Sequence, residues 1–146
     1  MKLELGNIEV AYTNAEGQGT TTTDVAAFLE ADYHIMETFY DLNKDFIADT
    51  LANEMAGALE TIAMGGPSTI NFDGAMSKIE ERFKDFISSG DLVQGHWLNE
   101  PIQAAIKGVS HRKKTPNAKD NPARVAFVDT GLYVGSFKAW LTGKLN

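Results

Sequence analysis

The sequence predicts an α+β domain, with a long amphipathic helix, a second helix and strands enough for one small sheet. Three observations predict it. Apolar residues alternate with polar or small ones over residues 2–12, recur at helical spacing through most of 24–89, and alternate again over 137–141. At 146 residues, 43% of them hydrophobic and 23% charged, the chain fits one domain, 1–146, large enough to bury a core.

The elements follow in order. Leu3, Leu5, Ile8, Val10 and Tyr12 mark a strand or short hairpin, and the change of register at Gly6-Asn7 predicts a turn or bulge there. Residues 13–23, with two glycines and a run of threonines, carry no apolar period and read as a loop or flexible arm. Thr22 or Thr23 then suits a helix cap, with Asp24 well placed against the positive end.

From Asp24 to about Met64, Phe28, Ile35, Phe39, Leu42 and Phe46 form one stripe, continued by Ile47, Leu51, Met55, Leu59 and Ile62. Forty residues as one helix would reach roughly 60 Å, so the segment is either one long rod or bends near Tyr40-Asp41-Leu42-Asn43. Gly65-Gly66-Pro67 ends it. The second helix runs from Asn71 or Phe72 to Ser89. Phe72, Met76, Ile79, Phe83, Phe86 and Ile87 lie on one face, and Lys78, Glu80, Glu81, Lys84 and Asp85 mostly on the other. Such spacing is what packing requires, so these Met and Phe stripes read as core.

Beyond Gly90 the pattern is irregular. Trp97 to Pro101 reads as a turn into a short helix, Ile102 to Lys107. Residues 109–124 form a basic, proline-flanked loop, Val125 to Val128 a short strand, and Phe137 to Leu141 the closing strand.

Composition narrows the function classes. The chain has no cysteine, which removes disulfides, thiol catalysis and thiolate metal sites. No run approaches the ~20 apolar residues of a membrane span, and no signal core opens the sequence, so the expectation is a soluble chain made in the cytoplasm, without membrane contact. Charge is divided unevenly. Up to residue 106 there are 5 Lys or Arg against 18 Asp or Glu, a net of −13; from Lys107 onward there are 8 against 2, a net of +6, which together give −7. An acidic body with a basic C-terminal region suits head-to-tail contact between copies, or contact with an acidic or phosphate-rich partner.

No motif identifies a catalytic residue, a metal site or a cofactor. Asp129-Thr130-Gly131 invites comparison with retroviral-type aspartic proteases, where two such loops share a proton between carboxylates. Only 15 residues follow Gly131 and the sequence before it is mostly helical, so the comparison fails for want of the surrounding β domain. His34, His96 and His111 show no ligand spacing. Asp41, Asp45 and Asp49 put three carboxylates on one helix face, read as a solvated or partner-facing stripe because the loop carbonyls and sharp glycines of a calcium site are missing. Gly17-Gln-Gly19 lacks the lysine of a phosphate loop. Arg112, Lys113, Lys114, Lys119 and Arg124 could neutralise phosphates. No stacking aromatics accompany them, so a protein partner is preferred to nucleic acid.

The order Gln103 to Ser110, basic loop, then Ala126-Phe-Val-Asp129-Thr130-Gly131-Leu132-Tyr133-Val-Gly-Ser136-Phe137-Lys-Ala-Trp140 resembles the neck and tail-completion proteins of tailed bacteriophages. A long helix upstream belongs to the same pattern. The resemblance implies a structural, non-enzymatic virion subunit of the head-to-tail junction, with helices packed on a small antiparallel sheet. It implies a ring, commonly a hexamer, between a connector or stopper and a tail terminator or tail tube protein, with the basic loop reaching a neighbour or channel DNA. On that reading Gly131 permits a tight turn, and Leu132, Tyr133 and Phe137 anchor the closing segment. The alternative is a soluble adaptor that binds nucleic acid or protein through its basic loop; an enzyme ranks third.

Overall fold

The structure is a computed structural model, and it describes residues 1–11, 20–67, 69–89 and 131–143. Helices and a small antiparallel sheet make an α+β fold, in the order β1 (Lys2–Asn7), α1 (Thr22–Tyr33), α2 (Ile35–Ala63), α3 (Asp73–Ser88), α4 (Leu132–Ser136) and β2 (Phe137–Thr142). The turn at Trp97, the helix at 102–107, the basic loop and the strand at 125–128 all lie outside the described residues.

The sheet joins segments from near the two ends of the sequence. β1 and β2 pair antiparallel, with Leu3 opposite Leu141, Leu5 opposite Ala139 and Asn7 opposite Phe137. Alternation puts Leu3, Leu5, Phe137, Ala139 and Leu141 toward the core. The predicted bulge at Gly6-Asn7 is absent, and β1 runs unbroken through both. Gly6 is needed for space: a Cβ there would sit 2.9 Å from the Trp140 ring, which lies across the strand. Trp140 donates from Nε1 to Glu4 at 3.0 Å, and Thr142 and Lys2 bind the same carboxylate.

The threonine run is more ordered than its composition suggests. Thr21, not Thr22 or Thr23, caps α1 in a reciprocal box with Asp24: the Asp24 amide donates to the Thr21 hydroxyl, and the Thr21 amide donates back to the carboxylate. That backbone hydrogen bond, and then the Thr21 hydroxyl, hold the Asp24 carboxyl below the usual aspartate range. Thr22 is fully buried; its hydroxyl accepts from the Val10 amide and donates to the Ile8 carbonyl, tying α1 to the chain leaving β1. Of the loop or flexible arm expected at 13–23, Thr21, Thr22 and Thr23 belong instead to the start of α1, and residues 13–19 lie outside the described residues.

The forty-residue helical stretch is two helices. The break falls at His34, not at 40–43. His34 adopts a left-handed conformation, φ 50°, ending α1 and starting α2. Glu30 closes the new helix start, its carboxylate accepting from the amides of Met36 and Glu37 at 2.7 and 3.0 Å. Asn43, one of the residues that suggested a bend, is buried within α2. Its amide donates to the Phe39 carbonyl, and its oxygen accepts from Arg82 Nε on α3 at 2.8 Å. The buried face of α2 is therefore Ile35, Phe39, Asn43, Ile47 and Thr50, whereas Leu42 and Phe46 face outward and Phe28 on α1 is 60% exposed. Gly65, with φ 86°, and Gly66 end α2 as expected.

α3 matches its sequence pattern closely. Met76, Ile79, Phe83, Phe86 and Ile87 are buried, with Phe72 half-buried at its start. Glu80 departs from its expected outward place. It reaches β2, where it pairs with Lys138 at 2.8 Å and accepts from the Ala139 amide at 3.3 Å, covering a backbone group on the strand's free edge. The core joins α2, α3, α4 and β2 around four rings. Phe39 meets Phe83, Phe86 and Phe137 at centroid separations of 5.2, 5.5 and 6.2 Å.

Candidate functional site

The segment from Gly131 to Trp140, the described part of the stretch that carries the resemblance, is a structural anchor. Gly131, φ 73°, takes the left-handed conformation that lets the chain turn into α4, and its carbonyl accepts from Gly135 at 2.8 Å. Tyr133 and Phe137 then enter the core, as expected. Phe137 stacks on Phe83 with centroids 3.7 Å apart and planes 11° from parallel, while Tyr133 meets Phe83 edge-on at 6.2 Å. Leu132 does not anchor; it is 37% exposed. Trp140 is 40% exposed and packs outside the sheet over Gly6.

Asn7 holds this unit in place. Its side-chain amide donates to the Tyr133 carbonyl at 2.6 Å and to Ser136 Oγ at 2.7 Å, while Ser136 Oγ donates to the Tyr133 carbonyl at 3.0 Å. The end of β1 thereby clasps the junction between α4 and β2. Ser136 is buried and its hydroxyl is engaged on both sides with neutral groups, so the arrangement supplies no base to make it a nucleophile. Its chemistry is adhesive. Sequence reasoning read Asn7 only as a breaker, because nothing local marks a partner more than 120 residues away.

Asp129, Thr130, Arg112, Lys113, Lys114, Lys119, Arg124, His96 and His111 lie outside the described residues. Of the remaining candidates, Asp41, Asp45 and Asp49 are all exposed on α2. Among the described residues, Glu30, His34 and Glu37 bring ligand-type atoms within 4.8 Å of one another. A helix start explains them: Glu30 caps α2, and His34 Nδ1 pairs with Glu37 at 2.9 Å. A cation there would also oppose the positive end of the helix.

Two shallow grooves flank the sheet. One, about 410 Å³, lies between Leu3 and Leu5 of β1 and Tyr40, Ile47 and Leu51 of α2; the other, about 500 Å³, follows the free edge of β2 along α3 beside Met76 and Glu80. Neither gathers nucleophile, base and oxyanion donors. The larger surface feature is α2 itself. Beyond Thr50 no residue of this helix is buried, yet it carries Met55, Ala58, Leu59 and Ile62. Among the described residues, no helix is long and apolar enough to cross a membrane. Compared with models of known protein families, with curated proteins and with solved structures, the chain matches none.

Proposed function

We propose that this chain is a structural, non-enzymatic virion subunit of the head-to-tail junction of a tailed bacteriophage, a neck or tail-completion protein that acts by fitting surfaces together in a ring. The resemblance carried by Ala126 to Trp140 motivates the reading. The observation that carries it furthest is the use made of that motif's described residues. Gly131, Tyr133, Ser136 and Phe137 are spent on turning, clasping and filling the core. Among the described residues, the surface includes a long helix with acidic and apolar side chains outward, which suits contact with other protein surfaces. The ring partners are a connector or stopper on one side and a tail terminator or tail tube protein on the other. The whole chain carries 13 Lys or Arg against 20 Asp or Glu, a net of −7, which weighs against nucleic acid as the main partner.

Immunogold labelling of purified virions with antibody to this chain tests the proposal. Label at the vertex where capsid meets tail is expected. A chain found only free in the lysate, and absent from capsids, tails and complete particles, would end the reading; salt-sensitive binding of that free chain to duplex DNA would favour the adaptor instead.

A further inference from the structure

We propose that the outward face of α2 is the seat for a second copy of this chain, engaged through that copy's basic run, residues 107–124. The inference rests on the ring reading above and names the two surfaces that meet. α2 spans 29 residues, about 44 Å at 1.5 Å per residue, and its buried positions end at Thr50. An outer row of Leu42, Asp45, Asp49, Ala52, Ala56 and Leu59, spaced alternately three and four apart, is exposed throughout. Such a row lies along one side of a helix and is how a helix presents itself to a partner. Leu59 is 58% and Leu42 43% exposed, so apolar side chains occupy the side turned away from the core as well as the side within it. A helix apolar on opposite sides is one that another surface covers.

Charge selects the occupant. Asp41, Asp45 and Asp49 make the half of this face nearer His34 acidic, and Lys44 is the sole Lys or Arg in α2, against six carboxylates. The matching surface is in the same sequence: residues 107–124 hold six Lys or Arg and one Asp. Lysine and arginine suit a face of this mixed kind, since their stems cover apolar side chains while their charged ends reach carboxylates. α3 already displays the pattern, with the Arg82 guanidinium 5.7 Å from the centroid of Phe46 beside this row. Acidic helix on one copy and basic run on the next are unlike surfaces, and unlike surfaces joined head to tail generate rings.

Paired charge reversals in the full-length chain test this, read by sedimentation or light scattering at low salt. One variant carries Asp41→Lys, Asp45→Lys and Asp49→Lys; the other carries Arg112→Glu, Lys113→Glu and Lys114→Glu. Circular dichroism checks that both stay folded, and the three aspartates are exposed. The unmodified chain should self-associate, less so as salt rises. Each variant alone should associate about tenfold more weakly or worse, because like charges then meet. Mixed one to one, the two variants should recover association, since each supplies the surface the other needs. That recovery separates contact between copies from a basic run lying on its own helix, which only a single chain bearing both reversals would restore. A monomeric unmodified chain, variants that associate as it does, or a mixture that stays monomeric would each overturn the inference. Virion labelling is read independently, so the junction reading survives or fails on its own result.

Discussion

Phe137 is the side chain on which the packing converges, fully buried, stacked on Phe83 and edge-on to Phe39. Its truncation to Ala should cost about 3–5 kcal/mol, read as a fall in the urea midpoint, whereas Trp140→Ala on the exposed side of the same strand should cost far less. Thr22 makes a sharper test, because Val has nearly its shape. Thr22→Val leaves the Val10 amide and the Ile8 carbonyl unpaired where they meet α1, and should cost about 1–3 kcal/mol, with Thr22→Ser milder. Glu4 ties stability to pH. Hydrogen bonds from Thr142 and then Lys2 hold its carboxyl below the usual glutamate range. Its contribution is thus present above the unfolded pKa and lost as pH falls below that value through the lower folded one. Glu4→Gln should lower stability at pH 7 and should matter progressively less at acid pH, as urea midpoints at the two ends would show. Phe137 was legible as an apolar residue in an alternating run. Thr22, Asn7 and Glu80 were not, since each is polar and acts on a residue distant in sequence.

At the scale of the element, α3 was legible almost to the residue, because its apolar face and its charged face separate cleanly. The stretch before it misled for a physical reason. Ile35-Phe39-Leu42-Phe46 and Ile35-Phe39-Asn43-Ile47 are both valid helical rows, and hydrophobicity alone selects the first. The structure takes the second, because Asn43 finds partners in Phe39 and Arg82 and can be buried. The break at His34 is invisible to periodicity for a similar reason, since α1 and α2 each continue an apolar pattern across it. The junction is held by Glu30 and strained at His34, and the two can be separated. Glu30→Ala should lower the melting temperature by the loss of a helix cap, about 1 kcal/mol, while Asp32→Ala nearby should be close to neutral. His34→Gly should raise stability by up to about 1 kcal/mol, because glycine takes the left-handed conformation without penalty and the exposed pair with Glu37 contributes little. Were the junction held instead by the His34 side chain, this substitution would be destabilising.

For the whole molecule, the two strands were legible as strands and one small sheet followed from how few the pattern offered, while their antiparallel sense was implied only by the resemblance. The register was not, since it depends on Gly6 lying under Trp140 and on Asn7 meeting Ser136, pairings that no local pattern encodes. Those pairings make the fold depend on closing a very long loop. β2 has β1 on one side and α3 on the other, and α4 is clasped by Asn7, so the N-terminal strand completes the core around Phe137. Without β1, the ladder partners of β2 and the ring stack on Phe83 would face water. A charge placed on the inward face, Leu5→Asp, sets an uncompensated carboxylate against Ala139 and the groove beside Ile47 and Leu51. It should therefore unfold the helices along with the sheet, in one transition, with the Phe137 region and α3 losing amide protection together. Lys2→Asp, on the opposite face and exposed, is the comparison: it loses only a surface pair with Glu4 and should shift the transition far less than Leu5→Asp. Hydrogen exchange on the two variants distinguishes this from a sheet that merely decorates an independent helical body, in which α3 would stay protected after Leu5→Asp.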